Sequence, residues 1–484
     1  MHILFIASEA VPFAKTGGLA DVAGFLPHAL AKNETVSLVI PEYGTEEIRG
    51  LTLETVDAFS IAIGSQSFPA QIKKVMLSPR LSVYFVSQEL FFARKFLYGD
   101  AGGEYPDNFY RFLFFQKAVV EFIHRQKMIF DIIHCHDWQT ALVPLFVKLS
   151  TPPPFLQKTK TVFSIHNLGY QGIFKGNLFS ETGLPEYLFS PVYLEFYGNI
   201  NFMKAGIIFS DWLLTVSPTY AREILFPEKG FGLEGLLNNF SFKLSGILNG
   251  VDYGQWNPET DRFIDHPYSR LTLTKKRKNK EALFAELKIA ASCQLPLLAV
   301  ISRIAEQKGT DLLVRLFPDL MKEDLHLVVL GEGDSVLTRS LQAMADRFPG
   351  RSTFINRFDE RMAHRLEAAA DIFFMPSNYE PCGLNQIYSM KYGTVPIVRA
   401  TGGLEDSIEE FDPQTGVGTG FKFSSDDISE IMLLVKNVLA LYADQKVWKQ
   451  IQDNGMMQNF SWEKVVPEYV NIYNRILMED REHG

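Results

Sequence analysis

The chain has 484 residues, of which 46% are hydrophobic and 21% charged, which excludes a disordered or fibrous protein and is more than one compact core holds. Its 47 Lys+Arg stand against 56 Asp+Glu, a net charge of −9, so no general affinity for nucleic acid or anionic membranes is expected. An anionic ligand must be held by a local group of cations.

The N-terminus, Met1-His2-Ile3-Leu4-Phe5-Ile6-Ala7, has neither a basic leader nor a small-residue cleavage site, and predicts a buried strand rather than a signal peptide. Further apolar runs follow at Val36–Ile40, Ile129–His134, Thr161–Ile165, Leu213–Val216, Leu297–Ile301, His326–Leu330, Asp371–Met375 and Val395–Val398, alternating with longer helical patterns. Runs with few polar interruptions suit strands buried on both faces of a parallel sheet, so the fold class is α/β. None approaches the roughly 20 apolar residues of a membrane span. Cys135, Cys293 and Cys382 have no spacing typical of disulfide frameworks or zinc sites, and a cytoplasmic location is expected.

Two runs open alike. Ile3–Ala7 leads to a loop with Lys15, Gly17 and Gly18 and a helix over Leu19–Leu30. Leu297–Ile301 leads to a loop with Arg303, Lys308 and Gly309 and a helix over Thr310–Leu316. Each reads as the first βα unit of a doubly wound sheet, which binds ligands beyond its carboxyl ends. The polar stretch from Asn249 to Leu295 reads as a connection with an entry helix. Its Lys275-Lys276-Arg277-Lys278 run reads as a solvated face. A last helix is predicted over Ser461–Met478, kinked at Pro467, which removes a backbone donor.

Four segments carry chemistry. In Ser8–Val22, paired glycines before a helix N-terminus allow close backbone approach to an anion, and Lys15 adds charge; a tight turn alone gives the same pattern. In Ser302–Gly309, Arg303 and Lys308 leave a central strand where ligands sit, although two cations also suit plain surface. In Met375–Tyr388, Glu380 can accept from sugar hydroxyls before a Pro/Gly loop, and Cys382 reads as a buried or site-lining thiol. Ala400–Asp406 repeats the Gly-Gly device. In His134-Cys135-His136-Asp137 and Ile165-His166-Asn167, strand ends present Asp137 and His166 as hydrogen-bonding groups, His134 reads as structural, and no third metal-ligand motif accompanies them, so no metal is expected.

With Leu97-Tyr98-Gly99-Asp100, Tyr105-Pro106-Asp107-Asn108, Thr215–Ala221 and Gly246–Asp252 in the same order, the chain resembles the bacterial and plant branch of the glycogen/starch synthase family of retaining glucosyltransferases. The resemblance implies two Rossmann-like domains facing across a cleft (GT-B), with residues 1–248 as the acceptor-side domain. It implies 249–460 as the nucleotide-sugar domain and 461–484 as a helix returning to the first. Its implied partners are ADP-glucose as donor and glycogen or another α-1,4-glucan as acceptor, with no cofactor. Lys15, Gly18, Arg303 and Lys308 would hold the diphosphate, and Glu380, Cys382, Gly383 and Leu384 the donor sugar or its phosphate. Asp137, His166 and Asn249 would line the glucose site, with Tyr98 near it and Glu9 and Asp21 near the cleft. His166, Arg303, Lys308 and Glu380 are the expected catalytic set. Where many relatives outside the branch carry a ribose-binding glutamate eight residues after the first, this chain has Tyr388, expected at the substrate. UDP-glucose is the alternative donor; a nucleotide-sugar 2-epimerase, an α-glucan phosphorylase and a non-catalytic glucan-binding protein are the rival classes.

Overall fold

A computed structural model describes residues 1–100, 103–149, 152–289 and 292–479. The chain divides into two compact units. The first holds Met1–Val216, Ala221–Gly250 and Trp462–Gly484; the second holds Ser217–Tyr220 and Val251–Ser461.

Among the described residues, the main sheet of the first unit has nine strands: β1 (His2–Ile6), β2 (Thr35–Pro41), β3 (Glu54–Ile63), β4 (Gln66–Ser78), β5 (Leu81–Ser87), β6 (Ile132–His136), β7 (Lys160–Ile165), β8 (Trp212–Thr215) and β9 (Leu244–Gly246). Their order is β9-β8-β7-β6-β1-β2-β5-β4-β3. Every neighbouring pair from β9 to β5 is parallel, and strand order reverses at β1, between β2 and β6. Strands β3 and β4 add an antiparallel edge that the sequence reading did not expect. The reason is physical: most side chains of β3 stay at least partly exposed, so its large apolar residues (Phe59, Ile61, Ile63) alternate with small exposed ones (Ser60, Ala62) instead of forming a run. Its hairpin to β4 closes through Gly64 and Ser65, with Gly64 at φ +55°.

The second unit has six strands among the described residues: β10 (Leu297–Ile301), β11 (His326–Leu330), β12 (Ser352–Ile355), β13 (Ile372–Met375), β14 (Val395–Arg399) and β15 (Phe421–Phe423). All pairs are parallel, in the order β12-β11-β10-β13-β14-β15. This is the doubly wound order, and its switch point lies between the carboxyl ends of β10 and β13. Successive side chains go to opposite faces, so Leu298, Val300, Leu327 and Val329 enter one buried cluster while Leu297, Ala299, Val328 and Leu330 enter another. Double-sided burial is why these strands read as unbroken apolar runs.

Two expectations need correction here. The basic run at 275–278 is not simply a solvated face, because Lys276 is buried. Its Nζ donates to the carbonyls of Glu367 (2.9 Å) and Ala368 (3.2 Å) and to Thr394 Oγ1 (2.8 Å), and burial pulls its pKa down to about 7. One face of the helix Lys276–Glu286 packs inward, and neighbours Lys275, Arg277 and Lys278 stay exposed. Nor is the stretch before it a bare connection: the Trp256 ring stacks on His364 at 3.7 Å and on Tyr388 at 4.2 Å.

Of the helices, α1 (Gly18–Leu30) follows β1 and α2 (Thr310–Leu320) follows β10. The last, α3 (Trp462–Glu479), runs through Pro467 as one helix and belongs to the first unit. There the buried Tyr473 hydroxyl reaches His134 Nδ1 (2.8 Å), Lys32 pairs with Glu463 (2.6 Å), and the Arg475 guanidinium lies 4.7 Å from the Trp212 ring.

Candidate active site

In the first unit the site grows from the carboxyl ends of β1, β6 and β7. After β1 the backbone folds back on itself, with Phe13 and Ala14 N–H donating to the Ala10 carbonyl and Val11 N–H to that of Ala20. Buried Glu9 pins the loop from inside: its Oε2 accepts from both the N–H and the hydroxyl of Thr16, each at 2.5 Å. Gly17 then caps α1 and Gly18 is its first residue. The Lys15 side chain is half exposed and its Nζ lies 2.7 Å from Asp21 Oδ1. Tyr98 hydroxyl meets Ser8 Oγ at 2.7 Å, and Tyr43 hydroxyl donates to the Ser8 carbonyl at 2.8 Å.

At the ends of β6 and β7, Asp137 sits at φ +55°, a strained conformation for a residue other than glycine. Its N–H donates to the Ser164 carbonyl (2.9 Å), and its Oδ1 accepts the His166 N–H at 2.7 Å. Burial raises the carboxyls of both Glu9 and Asp137 to about 7, and each feels charge repulsion from a neighbouring carboxylate. Burial lowers His166 to about 3, so its ring is neutral at physiological pH. Asn249 is also buried, and its Oδ1 has no partner among the described residues.

In the second unit the loops after β10 and β13 are stitched together. Asn378 N–H donates to the Gln307 carbonyl (2.9 Å), and Asn378 Nδ2 to that of Glu306 (2.6 Å). Lys308 Nζ is 2.6 Å from Glu380 Oε2, which also accepts from Ser377 Oγ at 3.0 Å. Arg303 is exposed, touching Gln307 Oε1 at 3.1 Å. The Glu380–Gly383 backbone is held from three sides: Ser217 Oγ donates to the Pro381 carbonyl (2.7 Å), Gly403 N–H to that of Glu380 (3.0 Å), and Gln386 Nε2 to that of Gly383 (3.1 Å). Thr219 fastens the same region to Asp406 through its N–H (2.7 Å) and hydroxyl (2.6 Å).

The structure thus gathers Glu9, Lys15, Gly18, Asp21 and Tyr98 around one loop and Asp137 with His166 at adjoining strand ends. In the second unit it brings Lys308 onto Glu380 and sets Cys382, Gly383 and Leu384 on the loop that follows. Tyr388 lies in the helix Asn385–Lys391 with its ring stacked on Trp256, and at 7% exposed it is about as buried as Glu380 and Cys382. Sequence reading missed Ser217 and Thr219 as supports because their partners Pro381 and Asp406 are remote in the chain, and Thr16 and Ser377 because local spacing does not announce their bonds to Glu9 and Glu380. Among the described residues no three His, Cys, Asp or Glu side chains gather as a metal-ligand set.

Two largely parallel sheets, each with a cation and a carboxylate at its switch point, agree with the GT-B glycosyltransferase class in which comparison with known proteins places the chain. Residues 2–239 match the family described as starch synthase catalytic domain, and residues 287–455 match glycosyl transferases group 1. The chain is 43% identical to a glycogen synthase of Koribacter versatilis, over 98% of both chains, and 39% identical to glycogen synthase 2 of Geobacter sulfurreducens, again over 98% of both. The solved catalytic domain of starch synthase IV from Arabidopsis thaliana, bound to ADP and acarbose, is similar with a TM-score of 0.89 and 33% identity over 99% of both chains. Sucrose-phosphate synthase from Thermosynechococcus elongatus shares the fold, at a TM-score of 0.61 and 17% identity. The chain belongs to the glycogen synthase family and is a glucosyltransferase.

Proposed function

We propose that the protein transfers glucose from ADP-glucose to the nonreducing end of an α-1,4-glucan with retention of configuration, in glycogen biosynthesis in the cytoplasm. The observation that carries this reading is the Lys308–Glu380 pair at the switch point, with Arg303 exposed on the same loop. Such a pair suits a sugar diphosphate: the carboxylate accepts from sugar hydroxyls and the cations face the phosphates. No described helix is long and apolar enough to cross a membrane.

In the proposed reaction, the bond from the anomeric carbon to the diphosphate breaks and its electron pair leaves with ADP. The glucan 4-hydroxyl attacks the anomeric carbon from the same face, and its proton passes to the departing diphosphate oxygen. Arg303 and Lys308 stabilise the growing negative charge, because fixed donors need little reorganisation during reaction. The His166 carbonyl supports the positive anomeric carbon. The Asp137 carboxylate accepts the His166 N–H of the preceding peptide and the Asn167 N–H of the carbonyl's own peptide, a reason for the strain tolerated at Asp137.

The test is nucleoside diphosphate release from ADP-glucose and from UDP-glucose, with and without glycogen. Glycogen-dependent ADP release with incorporation of glucose is expected. Release without glycogen would favour an epimerase, preference for UDP-glucose would change the donor, and no turnover of either would overturn the reading.

A further inference from the structure

His136 is fully buried, and its Nδ1 lies 2.9 Å from His166 Nε2. Its ring packs against His134, at 4.2 Å between centroids, and against Phe5, at 5.5 Å, and those two rings are 5.1 Å from each other. Its other nitrogen, Nε2, is buried with no hydrogen-bond partner among the described residues. Burial holds both His136 and His166 below their usual range, so two neutral imidazoles share this contact and one proton lies between them.

Two arrangements exist. If His166 Nε2–H donated, His136 would carry its own proton on Nε2, as an orphaned N–H in an apolar stack. If His136 Nδ1–H donates, Nε2 keeps a bare lone pair. Buried unpaired N–H groups are rarer than under-used acceptors. His134 imposes no competing demand, as its Nδ1 meets Tyr473 hydroxyl and its Nε2 meets Ser164 Oγ (2.7 Å).

We infer that His136 is a positioning residue that fixes the tautomer of His166: His136 Nδ1–H donates to His166 Nε2, leaving the proton of His166 on Nδ1 as a permanent donor for a substrate hydroxyl. The tautomer follows from the histidine geometry alone; only the role of the Nδ1–H rests on the glucosyl-transfer reading. A His166 with its proton on Nε2 would present a lone pair from Nδ1 and demand a donating hydroxyl instead. A neutral donor suits an uncharged sugar, and burial prevents the ring from turning cationic in the working pH range.

The test is long-range ¹H–¹⁵N correlation on the full-length protein with ¹⁵N-labelled histidine at neutral pH, with His166 signals identified by their loss in His166→Asn. Protonated Nδ1 and bare Nε2 are expected for both His166 and His136; a protonated Nε2 on His166 overturns the inference. A kinetic arm uses ADP-glucose and glycogen with two variants of similar branched shape. His136→Asn keeps an N–H near the Nδ1 position and is expected to stay within about threefold of wild-type kcat/KM, whereas His136→Leu is expected to lose about tenfold, the scale of one hydrogen bond. The ¹⁵N spectrum of His136→Leu should show His166 in mixed tautomers. Equal losses in both variants with an unchanged His166 spectrum also overturn the inference. If the wild-type protein transfers no glucose, the reading of function fails while the spectrum still decides the tautomer.

Discussion

The chain uses paired glycines before a helix twice, and the two pairs do different work. At Gly18 an added Cβ would meet no atom within 4 Å, and at Gly17 only Glu9 Oε1 at 3.9 Å. At Gly402 and Gly403 an added Cβ would fall 2.0 Å from the carbonyl oxygens of Glu380 and Cys382. The second pair is therefore required by the protein's own packing, since α-helix Gly402–Ser407 rests directly on the Glu380–Cys382 backbone. The first pair leaves open space that the folded chain does not fill, which is what a closely approaching ligand needs. The same motif thus marks a support in one unit and an open surface in the other.

The cations at the two loops offer the strongest test of that contrast. Lys308→Ala removes a donor proposed to face the leaving diphosphate and leaves Glu380 buried beside an empty position. Its kcat is expected to fall about 10²–10³-fold, whereas Lys15→Ala, whose side chain is half exposed, should fall less; steady-state kinetics on both variants would break the contrast if the order reversed. Next in size, Gly403→Ala should lower stability by about 1–3 kcal/mol through overpacking, seen as a reduced Tm and weaker glucose transfer. An unchanged Tm would mean that the support reading of this pair is wrong.

Gly18→Ala should do the opposite. It keeps or slightly raises Tm, since alanine suits a helix better than glycine by about 1 kcal/mol, while kcat/KM for ADP-glucose drops about tenfold from the blocked approach. Full activity would show that the open space is incidental.

The smallest expected effect concerns pH. Folding raises Glu9 from 4.5 and Asp137 from 3.8 to about 7, so between these limits the folded state binds more protons than the unfolded one. Their contribution to stability is therefore largest below the unfolded values and shrinks as pH rises to about 7. Glu9→Gln and Asp137→Asn should each flatten the fall of Tm over this window. A slope unchanged in both would show that these carboxyls titrate elsewhere.

How much of this was legible beforehand varies with how locally each feature is encoded. The runs Leu297–Ile301 and His326–Leu330 coincide with β10 and β11, because double-sided burial writes itself as an uninterrupted apolar string. Strands β3 and β4 escaped notice, since strands with exposed faces show alternation that resembles ordinary surface. Glu9 was placed near the cleft, but its bond to Thr16 requires the loop to double back, and no spacing announces that. Tyr388 was expected at the substrate, but nothing in its surroundings announced that its ring stacks on Trp256, from a stretch read as a polar connection. Lys276 sat in a run of like charges and is nevertheless buried, because a helix turns one residue in three or four inward.

The sequence by itself determined the α/β class, the places where strands end in reactive loops, and the family. These depend on composition and order within a dozen residues. Tertiary structure alone decided which glycines are packed and which are open, that Lys308 lies on Glu380 72 positions away, and that His136 meets His166. Those are distances between separate segments of the chain, and a parallel sheet sets them by bringing strand carboxyl ends side by side, consecutive for β6 and β7 and non-consecutive for β10 and β13.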